Sequence, residues 1–171
     1  MTKYEDLGKE TVRELLNANW MTHDALWFAN CIQEFGIEKA NLVNKASVRM
    51  MAKAEAKRLR RALQVRKVRT FQELEEFIDT GFRVIRGNFM DFEILFERPS
   101  TIIWKVPRCF AYEGVKRLGY IESYHCGIVD RMAGWLDELG ISYEIDPVFG
   151  GCLKHTVGRC EMRFSVKFPN G

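Results

Sequence analysis

Cys152, His155 and Cys160 fall within nine residues near the end of the chain, and His125 and Cys126 stand upstream of them. Thiols and imidazoles bind soft metals or serve as nucleophile and base, so this density is the main chemical signal in the sequence. The spacing is C-x2-H-x4-C, with Cys109 further upstream. Zinc takes about four N or S ligands in a tetrahedron. Cys126, Cys152, His155 and Cys160 would supply that number if the loop at Gly150–Gly151 brings them together, which makes zinc or another transition metal the candidate cofactor. The C-x2-C knuckles typical of zinc motifs are missing. Cys160 also alternates in register with the apolar face of a strand, where an unliganded cysteine acts as a small hydrophobe. A third reading makes Cys126 or Cys152 a nucleophile with His155 or His23 as its base.

A second constellation lies in the N-terminal part, where Trp20-Met21-Thr22-His23-Asp24-Ala25-Leu26-Trp27-Phe28 places a polar pair inside an aromatic run. Asn19, His23, Leu26 and Asn30 lie on one helical line bordering the stripe of Trp20 and Trp27. Polar groups on such a face must find hydrogen-bond partners or line a cavity. The bland alternative is a satisfied buried histidine bonded to Glu55 or Asn44. Glu55 and Arg58, three residues apart, can pair with each other or reach toward His23. Trp20 and Trp27 as walls, with His23, Glu55 and Arg58 as polar contacts, would make a small-molecule pocket. Lys53 to Arg69 holds eight cations against the single acid Glu55. At helical spacing these spread around the helix, so a solvated face is favoured over a nucleic-acid surface and nucleic acid is not an expected partner.

The elements that position these residues follow from periodicity. Val12, Leu15, Leu16, Trp20, Trp27 and Cys31 recur at helical spacing from Leu7 to Phe35, and Gly36 ends that run. A second helix is predicted from about Glu38 to Leu63, with Ala40, Val43, Met50, Met51, Ala54 and Ala62 inward. The short link implies an antiparallel pair. Thr70 and Glu73 form a capping box for a third helix. Beyond Gly87–Asn88 the period falls to two: Met90, Phe92, Ile94 and Phe96, then Ile102, Trp104 and Val106, read as a hairpin across Arg98–Pro99–Ser100. Helices over Phe110–Leu118 and Ser123–Leu139 follow. Strands through Ile141, Tyr143 and Ile145 and through Cys160, Met162, Phe164, Val166 and Phe168 complete the chain. This order predicts an α+β fold, with helices packed on one face of an antiparallel sheet of about four strands.

At 171 residues, 47% of them hydrophobic, the chain suits one domain spanning 1–171. A net charge of +3 argues neither for nor against a polyanionic partner. The first eight residues lack an apolar core for a signal peptide, and no apolar run nears the roughly 20 residues that span a bilayer. A cytoplasmic location with no membrane partner is therefore expected, and its five cysteines should be reduced there unless they hold a metal.

Four stretches together resemble an uncharacterised family of prokaryotic cytosolic proteins. They are W-x-x-H-D-x-x-W-F over Trp20–Phe28, Glu55-Ala56-Lys57-Arg58-Leu59, Cys109-Phe110-Ala111-Tyr112-Glu113-Gly114, and the ending from Gly151 to Cys160. That resemblance brings no activity. The ending alone is loosely similar to 4-vinyl reductase-type small-molecule-binding domains and to 2-amino-thiazoline-carboxylate hydrolase-like proteins. Both likenesses imply a pocket with cysteines near it. The expected function is thus small-molecule binding beside a Cys/His cluster. A thiol- or metal-dependent hydrolase is the alternative, and a basic regulatory protein that binds nucleic acid is a weaker one.

Overall fold

In the computed structural model, which describes residues 2–169, Gly36 dictates the course of the N-terminal part. The helical stretch α1 (Lys9–Ala62) is broken there by a backbone at φ 78°, ψ 162°, a region open essentially to glycine alone. Two limbs result, and they double back: Trp20 before the glycine and Glu55 after it meet on the same Arg131. The predicted antiparallel pair is present, but its faces are turned from those expected. Ala40 is buried, whereas Val43 and Met50 are exposed and Ala52, Ala56 and Leu59 take the inward positions. The second limb packs on α4 (Ile128–Leu139), where Gly134 comes so near that an added Cβ would lie 2.6 Å from the Ala52 Cβ.

Thr70 and Glu73 cap α2 (Phe71–Ile85) reciprocally, as their spacing predicts. The hairpin is β1 (Asp91–Glu97) and β2 (Thr101–Arg108). After α3 (Phe110–Arg117) and α4, the chain adds β3 (Ser142–Asp146), a single turn α5 (Leu153–Thr156), and β4 (Glu161–Lys167). The sheet is antiparallel throughout in the order β1-β2-β4-β3. Met162, Phe164 and Val166 of β4 and Ile102, Trp104 and Val106 of β2 pack with α2, α4 and the second limb into one core. A smaller apolar cluster joins Phe28, Cys31 and Ile32 of the first limb to Val115, Tyr124 and Cys152.

One predicted helix starts late. Residues before Ile128 are not α-helical, because buried Asn41 of the second limb takes their backbone groups. Its Nδ2 donates to the Ser123 carbonyl at 2.7 Å and its Oδ1 accepts the His125 N–H at 3.0 Å. No helix among the described residues is long and apolar enough to cross a membrane.

Candidate functional site

Between the first limb, α2, the hairpin and the start of α3 lies a cavity of about 150 Å³. Its walls are mainly apolar: Met21 from the first limb, Phe82 from α2, and Phe92, Trp104 and Val106 from the sheet. The rings are locked by contact with one another. Phe82 meets Trp104 edge-on at 5.4 Å and Phe92 at 5.1 Å. Trp104 is 2% exposed, and its indole N–H has no hydrogen-bond acceptor among the described residues. An unpaired buried donor costs about 1–3 kcal/mol.

The polar lining of the cavity includes Asp24 and Arg131, with Asn44 and the paired Asp91 and Arg108. Arg131 is fixed from two directions: Nη2 and Nε donate to the Glu55 carboxylate at 2.8 and 3.3 Å, and the guanidinium lies 5.0 Å from the Trp20 ring centroid. Trp135 Nε1 also donates to Glu55, at 2.8 Å. Asp24 sits at the mouth. Partial burial raises its carboxyl pKa, against the opposing pull of Arg131 and His23. A second, more open cavity of about 330 Å³ continues past Asp24 between the first limb and α3.

Thiols border the same place. Cys109 caps α3, its sulfur accepting the Tyr112 N–H at 3.4 Å, and both it and Cys126 line the smaller cavity. The Cys126 N–H donates to the Gly151 carbonyl, which brings Cys126 beside Cys152, and Val106 N–H donates to the Cys160 carbonyl at the end of β2. Burial pushes the Cys126 thiol up to about 12, and Cys109, Cys152 and Cys160 add to the shift. Burial, with Cys109 and Cys152, does the same to Cys160, also to about 12. The Tyr124 hydroxyl, beside Cys126, is raised too, chiefly by burial. These thiols are held neutral, the reverse of an activated nucleophile.

The sequence-predicted residues divide. Trp20 and Glu55 reach the site, but through Arg131 rather than through His23 or Arg58. His23 is exposed, lines neither cavity and stacks on Trp27, with centroids 6.3 Å apart. It therefore bonds neither Glu55 nor Asn44. Trp27 is 60% exposed, and Arg58 also points to solvent. The motif thus splits by helical phase: Trp20, Asp24 and Phe28 turn inward, while His23 and Trp27 turn outward. His155 faces Glu122, with Nε2 at 3.2 Å from the carboxylate. Among the described residues no three His, Cys, Asp or Glu side chains are placed to hold a metal ion, so the set Cys126, Cys152, His155 and Cys160 is not gathered as one. The sequence marked Asp24 only as half of a polar pair and Trp104 only as a strand residue, with no role in a site for either, and did not mark Arg131 as a contact. Arg131 left one trace, as the single cation in the α4 sequence.

No curated protein and no solved structure matches this chain, so the looser likenesses to 4-vinyl reductase-type and hydrolase-like proteins gain no support. Residues 5–137 match a family described as a family of unknown function, DUF6125. The match takes in the Trp20–Phe28 motif, Glu55, Cys109, Cys126 and Arg131. By that match the chain belongs to the DUF6125 family.

Proposed function

We propose that this protein binds a small, largely apolar molecule in the cavity beneath the first limb. The observation that carries the reading is the wall of interlocked rings, Phe82, Phe92 and Trp104, that closes one side of the cavity. A cavity of this volume suits a ligand of about benzene size. The aromatic walls favour a flat ring, and the Arg131 guanidinium on the polar side favours a ligand oxygen that accepts a hydrogen bond. Arg131, already bound to Glu55, presents positive charge beside Asp24 without having to be ordered on binding.

The hydrolase alternative draws no comparable support, because the thiol of Cys126 is pushed away from its reactive form. Calorimetric titration with benzene, phenol and benzaldehyde tests the proposal. Both oxygen-bearing ligands should bind more tightly than benzene, by roughly the 0.5–1.5 kcal/mol of a net hydrogen bond. Phe92→Ala, which opens the ring wall, should weaken the binding of all three. Failure of all three to bind at millimolar concentration rejects the reading.

A further inference from the structure

The first limb has a second face, turned away from the 150 Å³ cavity, that the small-molecule reading leaves unused; Leu26 at its edge also borders the larger cavity. Leu16, Asn19, His23, Leu26, Asn30 and Gln33 follow one another at alternating steps of three and four, and all six are exposed. That is the a/d spacing of a left-handed coiled coil. Leu16 is 65% exposed and Leu26 59%, and Leu15 and Trp27 flank the seam at 54% and 60%. Between Thr11 and Gln33 the only formal charges are Arg13, Glu14 and Asp24, and each is engaged elsewhere. Arg13 donates to the Arg83 carbonyl, Glu14 accepts the Asn88 N–H, and Asp24 borders the cavity. The outward face is therefore uncharged over its length, although a solvated helix face normally carries charge.

We infer that this face is a homodimer interface, closed by the same face of a second copy. Size fits: the stretch from Thr11 to Gln33 at about 1.5 Å per residue gives roughly 35 Å of helix, enough to contribute much of the ~800 Å² per partner of a standard interface. Chemistry also fits a copy of itself. The amides of Asn19, Asn30 and Gln33 each donate and accept, so they complement their own kind and set register, while the leucines and Trp27 supply the apolar burial. A charged partner would leave these groups unmatched. A membrane-surface helix would carry a basic polar flank, but here the flank holds Arg13 against Glu14 and Asp24.

Sedimentation equilibrium of the full chain at about 1–100 μM and physiological salt decides the matter. A dimer mass is expected for the wild type. The double variant Leu26→Lys/Trp27→Glu should be monomeric, its affinity reduced at least about 100-fold, with an unchanged circular dichroism spectrum. Should that variant unfold, Asn30→Lys replaces it, since among the described residues the Asn30 amide bonds only the Leu26 carbonyl of its own helix; it should weaken the dimer about tenfold or more. Met50→Glu, at an exposed site on the other limb, should leave the mass unchanged. A wild type that stays monomeric at 100 μM overturns the inference. So does a dimer that survives both seam variants, or a monomeric chain that floats with phosphatidylserine-containing vesicles.

Discussion

Glu55 shows how one carboxylate ties distant segments together. It accepts from Arg131 twice and from Trp135 once, and the Glu55 and Arg131 side chains are both only 13% exposed. Removing one partner of such a pair strands a charge in a poorly solvated place, so Glu55→Ala should cost about 3–5 kcal/mol in urea unfolding. Glu55→Gln keeps an acceptor for Trp135 and should cost less. The thiols lead to a pH prediction. Cys126 and Cys160 ionise near 12 in the folded chain, against about 8.5 when unfolded. Above pH 8.5 the unfolded chain therefore releases protons that the folded chain retains, and stability falls as pH rises toward 12. Below pH 8.5 these groups leave stability unchanged with pH. A flat unfolding midpoint from pH 8 to pH 10.5 would contradict this, as would rapid alkylation of either thiol at pH 7.5. The sequence pointed to Glu55 as a polar contact but assigned it the wrong partners. Spacing reveals neighbours within one element, and Arg131 lies 76 residues away.

Close approach decides how the helices sit. An alanine at Gly134 would put its Cβ 2.6 Å from that of Ala52 and 2.8 Å from the Arg49 carbonyl, and α4 would have to move off the second limb. Gly134→Ala should thus destabilise by about 1–3 kcal/mol, lowering the melting temperature without changing helix content. Gly36→Ala meets no atom within 4 Å. Its cost, also about 1–3 kcal/mol, is purely that of the backbone angle, and the two variants should add because they act apart. Most elements were legible. The capping box and the period-two strands are local signals, and the structure follows them. The rotated face of the second limb was not legible, since Val43 and Met50 are apolar without being buried. What selects the inward line is the fit of Ala52 to Gly134 of α4, a pairing that hydrophobic periodicity does not encode. The late start of α4 has the same character, being imposed by Asn41 from another element.

Charge is unevenly spread over the molecule. Residues 57–69 carry seven cations and no acid, so against +3 overall the remainder is −4. Upstream of them, Lys45, Arg49 and Lys53 are taken up by Asp130 and Asp137 of α4, and Arg60 lies 3.7 Å from Glu138. Of the seven cations of residues 57–69 only Arg60 has an acid partner among the described residues, but at helical spacing the others spread around the helix and the turn after it instead of gathering on one face. Binding to mixed-sequence DNA or RNA at physiological salt should therefore be no tighter than about 10⁻⁶ M and should fall steeply with added salt. A fluorescence-anisotropy titration giving sequence-dependent nanomolar affinity would reverse this ranking. The charge split was countable in the sequence. The pairing of Lys45, Arg49, Lys53 and Arg60 was not, because the acids that take them up lie on a helix about 80 residues downstream.

The four tryptophans occupy four different settings. Trp135 is bonded to a carboxylate and stacked on Phe82, and Trp104 is enclosed with its N–H unpaired. Trp20 lies beneath a guanidinium, and Trp27 stands in solvent beside an imidazole. The emission of the chain is therefore separable by wavelength and by quencher. Iodide should suppress the red edge, which belongs to Trp27, and leave the blue-shifted light of the enclosed indoles intact. A guest in the cavity should alter the blue component, whereas self-association should shield the red one, so a single cuvette can follow both events independently.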